Sequence, residues 1–428
     1  MAIEPRAALV ALAGVLIALL APLVALPADL ALVALILADV ILAGAPRQLA
    51  IDRGRTGAVR LGESTTVELA LTNLGRRRAR GRLRDGWVPS AGAHPRVVRF
   101  DVPAGQVRRV SITLVPSRRG TRRSARITVR SLGPLGLAGR QGHRGLAGAV
   151  TVLPPFASRR LLPAKFAQLR RVEGLVAVRG AGRGSEVDSL RDYVDGDDAR
   201  TVDWRASARH AGIVVRSYRP ERDRRITLVL DTGRTSAARI GDAPRLDHAL
   251  DATLLLAAVA RRAGDRVDLV AYDRTLRADV RSGSGKVDLL ARLITAMTPL
   301  EPALVETDYR ALVGQLLRRP GQRSLIVLFT DLAPVIVQES LVPLLGPLTS
   351  RHRVLVAAVR HPALDGVPAT FDLGSVYQAA ALTRAALDRD GAAANLRQRG
   401  VSVVDAAPGV FASAVTDVYL HLKAMGQL

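Results

Sequence analysis

Two apolar runs at the start of the chain, separated by a turn without a basic residue, leave few choices for how it begins to fold. From Ala8 to Leu26 nineteen residues pass without a charge, and a helix of that length, at about 1.5 Å per residue, nearly crosses a hydrocarbon core of about 30 Å. After Pro27, Ala28 and Asp29 a second run, Leu30 to Ala45, is interrupted only by Asp39. Helices joined by so short a turn return to the side they left, so residues 1–50 read as an N-terminal transmembrane helical hairpin. Arg6 precedes the first run and Arg47, Arg53, Arg55 and Arg60 follow the second. The positive-inside rule then places both ends in the cytoplasm. The expectation is a two-pass protein of the inner (cytoplasmic) membrane whose soluble part is cytoplasmic. A cleaved signal peptide, the competing reading, has an apolar region of only about 7–15 residues and no second span behind it. Asp39 costs least near the cytoplasmic interface and facing a partner helix, and reads as a packing or oligomer contact.

Cysteine is absent, which removes disulfide frameworks, thiolate zinc sites and cysteine nucleophiles together. The seven histidines are scattered without a His-Glu-x-x-His pattern, which argues against a zinc enzyme. The formal charge of +24 is carried almost wholly by arginine, since Lys165, Lys286 and Lys423 are the only lysines. That bias fits a GC-rich genome.

Residues 51–155 change period. Val67, Leu69 and Leu71, then Val110, Ile112 and Leu114, then Ala125, Ile127 and Val129 recur at every second position, and turn residues separate them. A small antiparallel β-sandwich is the expectation. Between Arg47 and Arg130 twenty arginines face five acids. Membrane lipids with anionic headgroups attract such a segment by about 1 kcal/mol per basic side chain, with Arg76-Arg77-Arg78 and Arg118-Arg119 as the clusters that would press on the leaflet. Nucleic acid is disfavoured, because Trp87 and Phe100 are the only aromatics among those arginines.

Residues 156–225 contain an acidic island in this basic chain. Seven acids fall between Glu186 and Asp203, opposed by Arg191 and Arg200. Ser185 to Tyr193 reads as a short helix, Asp195-Gly196-Asp197 as a turn, and Asp203-Trp204 as the start of a second short helix leading to the strand Ile213 to Tyr218. Enzyme signatures fail here on spacing. The aspartates lack the alternation and terminal glutamate of an EF-hand, and Gly180, Gly182 and Gly184 do not open a helix as a dinucleotide fingerprint would. Gly285-Lys286 has Val280 and Val287 where a phosphate loop needs Gly and Ser/Thr, and no Gly-x-Ser-x-Gly elbow occurs.

The ordered run Gly184, Glu186, Leu190-Arg191-Asp192-Tyr193, Gly196-Asp197-Asp198, Arg200, Asp203-Trp204, Ala208-Arg209 and Glu221 resembles the signature of the family called domain of unknown function 58. Val187 stands where that family usually has an aromatic. The resemblance extends to the two spans, to the Arg119-Gly120 and Pro134-Leu135-Gly136-Leu137 elements and to a C-terminal von Willebrand A-like domain. It implies a partner, since members are commonly associated with MoxR-type AAA+ ATPases.

Residues 226–428 alternate strands with helices, so the whole chain reads as multidomain and ends in an α/β, doubly wound, mainly parallel sheet. Expected strands are Ile226–Leu230, Arg266–Tyr272, an edge at Leu276–Val280, Ser324–Thr330, His352–Val359 and Val401–Asp405. Ligands in such sheets bind beyond the carboxyl ends of the strands, where Asp231 and Asp331 stand. Asp231, Thr235, Thr307 and Asp331 look like the metal-ion-dependent adhesion site of von Willebrand A domains, which holds magnesium. Gly233 replaces a serine ligand there, and Arg234 adds an unfavourable positive charge. Equally open is a metal-free crest in which both aspartates cap helices or pair with arginines.

Two functions follow as expectations. One is a non-enzymatic, membrane-anchored binding or adaptor protein whose partner-binding residues are Glu186, Arg191, Asp192, Asp195, Asp197, Asp198, Arg200, Asp203 and Trp204. The other is a metal-dependent hydrolase using the crest carboxylates, which lacks a candidate nucleophile or histidine base.

Overall fold

The computed structural model describes residues 2–20, 22–179, 186–194, 202–209, 212–219, 224–283, 288–319, 323–365 and 373–428. The chain forms two compact units, 1–153 and 154–428.

The first unit opens with β1 (Ala2–Ile3), α1 (Pro5–Leu20) and α2 (Pro22–Leu42). Pro27, Ala28 and Asp29, expected as the turn, are helical within α2. Leu26–Gln48 contains an 18-residue window of mean hydropathy 2.3, long and apolar enough to cross a membrane, and large apolar side chains such as Leu26, Leu30, Val33 and Leu37 are exposed on α2.

The strands that follow are β2 (Leu49–Arg53), β3 (Ala58–Arg60), β4 (Thr65–Asn73), β5 (Ala79–Trp87), β6 (Ala93–His94), β7 (Val98–Val102), β8 (Val107–Leu114), β9 (Gly120–Leu132), β10 (Ala138–Arg144) and β11 (Gly148–Leu153). They make a four-stranded sheet, β2-β4-β8-β6, and a seven-stranded sheet in which β9 pairs β5, β10 and β11. The core between them takes Val67, Leu69 and Leu71 from β4, Ile112 and Leu114 from β8, and Ile127 and Val129 from β9. The period of two breaks at Ala125, which is exposed while Ser124 is buried. The cause is an irregularity in the β5 to β9 register between Asp85 and Trp87, since an extra residue flips every side chain beyond it to the other face.

Asp39 does not face a second helix. Fully buried, it accepts hydrogen bonds from the backbone N–H groups of Leu135 (2.8 Å), Leu137 (2.7 Å) and Ala138 (2.9 Å) in the turn between β9 and β10. Gly133 is required beside it, because a β-carbon there would stand 2.1 Å from the Asp39 carboxylate. The N-terminal end of the helix pair reaches the same turn. The Glu4 N–H donates to the Leu137 carbonyl at 3.0 Å, and the buried Glu4 carboxylate pairs with Arg82 (3.2 Å) and Arg130 (3.1 Å). Arg82 and Arg130 lie directly opposite each other across β5 and β9, where two like charges repel unless an acid such as Glu4 sits between them.

The second unit contains α3 (Leu162–Arg179), β12 (Glu186–Asp192), α4 (Trp204–Ser207), β13 (Val214–Arg219), β14 (Arg225–Asp231), a small ribbon of β15 (Arg239–Ile240) and β16 (Ala243–Pro244), and α5 (Arg245–Arg262). There follow β17 (Arg266–Tyr272), β18 (Leu276–Val280), α6 (Leu289–Met297), α7 (Tyr309–Leu317), β19 (Ser324–Phe329), α8 (Val342–Thr349), β20 (Arg353–Val359), α9 (Leu373–Gln398), β21 (Ser402–Ala406) and α10 (Pro408–Ala424). The sheet order is β18-β17-β14-β19-β20-β21, parallel except for the antiparallel edge β18. One face of β14 turns Leu228 and Leu230 toward α5, α6 and α10, and the other turns Val229 toward α7, α8 and α9. After β14 the chain adds β17 on one side and β19 on the other, so the strand order reverses at β14. A crevice opens at such a switch point, beyond the carboxyl ends of the strands.

The expected helix at Ser185–Tyr193 is instead the strand β12, paired antiparallel with β13. Val214 and Val215 of β13 are buried, and satisfying that β-branched strand outweighs the weak helical preference of its partner.

Candidate functional site

Asp231 is the last residue of β14, and its carboxylate is surrounded by donors. Oδ1 accepts from the Gly233 N–H (2.8 Å) and the Thr307 hydroxyl (2.5 Å); Oδ2 accepts from the hydroxyls of Tyr309 (2.6 Å), Thr330 (2.7 Å) and Thr235 (3.4 Å). Thr307 comes from the loop before α7, fixed by the Asp308 carboxylate capping the Ala311 N–H at 2.9 Å. The sequence-predicted trio Asp231, Thr235 and Thr307 therefore converges. Burial and the Asp231 charge push the Tyr309 phenol well above its ordinary value, so Tyr309 stays a hydrogen-bond donor.

Asp331 sits one residue beyond Thr330 and is held by arginine. Its Oδ1 accepts from Arg389 at 2.6 Å and from the Leu332 N–H at 2.9 Å, while Oδ2 pairs with Arg245 at 2.8 Å. Arg389 reaches on to Asp405 at 2.8 Å, and Asp405 also accepts from Arg360 at 3.0 Å. Burial acts to lower the Arg389 pKa, but its bonds to Asp405 and Asp331 outweigh that and raise it. Arg234 has its own counter-ion in Glu306 at 2.6 Å, both side chains exposed.

This donor set does not fit an octahedral magnesium ion as it is arranged. Each oxygen of Asp231 and Asp331 already accepts at least one hydrogen bond or guanidinium. Gly233 has no room for a serine, because its β-carbon would lie 2.2 Å from the Thr307 hydroxyl. Sequence reasoning missed Arg245, Tyr309, Thr330 and Arg389. Tyr309 and Thr330 adjoin predicted residues, whereas Arg389 lies 58 residues beyond Asp331 and carries no local signal.

The signature segment presents different chemistry. Glu186, Arg191 and Asp192 lie on β12, and Asp203 caps α4 by accepting from the N–H groups of Arg205 (3.1 Å) and Ala206 (3.0 Å). Trp204 follows, 69% exposed, and Leu190, Tyr193, Val194 and Ile213 are exposed as well. Asp195, Asp197, Asp198 and Arg200 lie outside the described residues.

Among solved structures, the chain is similar to proximal thread matrix protein 1 from the mussel byssus (13% identity, 47% of this chain and 46% of that one, TM-score 0.28). It is also similar to a PapD-like domain of human CEP192 (14% identity, 25% of this chain and 88% of that one, TM-score 0.17). Curated relatives include the uncharacterized proteins Rv1480 of Mycobacterium tuberculosis and Mb1516 of Mycobacterium bovis, each 28% identical over 198 residues, 46% of this chain. The match spans 60% of the length of those relatives. Residues 189–399 match the model of the family described as "Protein of unknown function DUF58".

Proposed function

We propose that this protein is a membrane-anchored, non-enzymatic adaptor whose cytoplasmic, von Willebrand A-like domain receives a partner protein, and that the partner is a MoxR-type AAA+ ATPase, as the family resemblance implies. The observation that carries this reading is the exposed signature segment. A tryptophan that is 69% exposed, beside Leu190, Tyr193, Val194 and Ile213 and next to acids, has the composition of a binding hot spot and not of a solvated loop. The acidic island around Asp195, Asp197 and Asp198 would steer a basic partner surface toward it.

The two-pass anchor is supported by the convergence of Glu4 and Asp39 on Leu137, which brings the start of α1 and the end of α2 to one place. A cytoplasmic soluble part follows from the arginines flanking the helices. The crest supports binding over hydrolysis. Its carboxylates are spent on hydroxyls and guanidiniums.

Mild crosslinking in native membranes, followed by capture on a C-terminal tag, tests the reading. Capture of an AAA+ ATPase by the wild type, lost in Trp204→Ala and in Asp197→Lys with Asp198→Lys while thermal unfolding is unchanged, is the expected result. A hydrolytic turnover abolished by Asp231→Ala, with capture unaffected by the signature variants, would replace it.

A further inference from the structure

The end of the apolar helix α2 is ringed by arginine. Arg140 donates through Nε to the Val40 carbonyl at 2.9 Å, and Arg77 donates to the Ile41 carbonyl. Arg80 donates through Nε and Nη2 to the Gly133 carbonyl, at 3.2 and 2.7 Å, beside the Asp39 pocket. From the first helix, Nη1 of Arg6 stands 3.4 Å from where a β-carbon on Gly136 would be. The one carboxylate at this end of the helix, Asp39, is fully buried and occupied by three backbone N–H groups.

Part of the arrangement is explained by the helix itself, since cations stabilise the negative end of its dipole and the last carbonyls need donors. The surplus is not. A guanidinium carries five N–H donors in a fork that matches a phosphate, and the bonds named here use one or two of them on each of Arg77, Arg80 and Arg140. Any bilayer crossed by α2, whose 21 residues span about 31 Å, ends its hydrocarbon core at this ring. Headgroup phosphates lie at that level.

We propose that Arg6, Arg77, Arg80 and Arg140 form a binding collar for the phosphate of an anionic phospholipid, held at a fixed depth by the Asp39 lock. The proposal rests on the membrane-anchored reading. It also relocates the lipid contact expected from the sequence. Arg119 directly precedes β9 and Gly133 directly follows it, so thirteen strand residues at about 3.3 Å each put Arg118 and Arg119 roughly 40 Å from the Asp39 pocket. Several Debye lengths separate that pole from the headgroups at the collar. Arg119 is also buried.

The test uses the full chain in nanodiscs made from an equal mixture of phosphatidylglycerol and phosphatidylcholine, with the retained lipid quantified by mass spectrometry after delipidation to the tightly held fraction. Wild type should retain phosphatidylglycerol preferentially. Arg77→Gln with Arg140→Gln should weaken that preference about thirty-fold, the effect of removing two basic side chains at the surface. Arg118→Gln should not change it, and Arg77→Lys with Arg140→Lys should restore part of it. Equal retention of both lipids by the wild type overturns the collar while leaving the anchor intact. So does an equal loss in Arg118→Gln. Release of the wild type from vesicles by alkaline carbonate overturns the anchor and the collar with it.

Discussion

The carboxylate of Asp39, on an apolar helix, accepts a 2.7 Å hydrogen bond from the backbone N–H of Leu137, 98 residues later in the chain. That bond and its two neighbours turn the Pro134-Leu135-Gly136-Leu137 element into a receptor for one side chain. They also explain why a charge is found in an otherwise apolar run. Asp39 completes a turn whose N–H groups would otherwise be buried without partners.

Asp39→Ala should therefore destabilise the first unit by about 3 kcal/mol or more, because each orphaned buried donor costs about 1–3 kcal/mol. Asp39→Asn should fare little better, since its amide NH2 would face one of the N–H groups. Thermal unfolding of the full chain in detergent measures the loss. A variant that unfolds at the wild-type temperature would show that the turn stands without the carboxylate.

Arg389→Ala tests the arginine-held crest. It removes a buried partner from both Asp331 and Asp405, which retain Arg245 and Arg360. Complete loss of a buried pair costs about 3–5 kcal/mol, so with one partner remaining on each acid about 2 kcal/mol is expected. Calorimetric titration with magnesium chloride should give at most weak binding to the wild type. A tenfold or larger gain is expected once Arg389→Ala takes one of the two guanidiniums away from Asp331. Tight binding by the wild type, unaffected by Asp331→Ala, would place a cation elsewhere.

Gly233→Ser would restore the oxygen missing from the adhesion-site pattern, yet it should not restore a metal site. The added β-carbon would stand 2.2 Å from the Thr307 hydroxyl and 2.9 Å from the Val305 carbonyl, so the loop must move. Overpacking of this kind costs about 1–3 kcal/mol. Denaturant titration should show that loss with no stabilisation by added magnesium. Stabilisation by magnesium in this variant would mean that the loop adapts and the crest is a metal site lacking one ligand.

What the sequence revealed and what it hid divide by range. The six strands of the C-terminal sheet lie within two residues of their expected bounds, and the buried trio Val67, Leu69 and Leu71 follows its alternation, because periodicity is a local property. The failures are choices between partners distant in sequence. Glu186–Asp192 forms a strand because β13 needs one, and Ala125 turns outward because β9 carries an extra residue opposite β5. At the crest, Asp231 is legible from its place at the end of the first strand, whereas Thr235 and Thr307, the latter 76 residues on, are legible only through the resemblance to the adhesion site of von Willebrand A domains. Arg389 is not, since no pattern in α9 marks one arginine among so many as the one that reaches Asp331.

Buried tyrosines give the second unit an alkaline limit. Tyr309 donates to Asp231 at 2.6 Å and Tyr419 donates to Asp265 at 2.6 Å, with Lys423 closing the second cluster at 2.8 Å. Burial first, and the adjacent carboxylate second, raise both phenol pKa values above the ordinary 10. The folded state therefore holds these protons more tightly than the unfolded chain does. Between the two pKa values the native protein binds more protons, so stability falls as pH rises. The contribution is fully present below about pH 10, where unfolded tyrosine begins to ionise, and is lost progressively above it. Denaturant midpoints should accordingly be flat with respect to tyrosine ionisation from pH 8 to 9.5 and decline beyond about pH 10. Tyr309→Phe should lower stability at pH 8 by about 1–3 kcal/mol, because Asp231 loses a buried donor, and should make the decline above pH 10 shallower. Ultraviolet titration of the native protein should show these two phenols ionising only as it unfolds. A Tyr309→Phe profile as steep as the wild type would assign the alkaline limit to other groups.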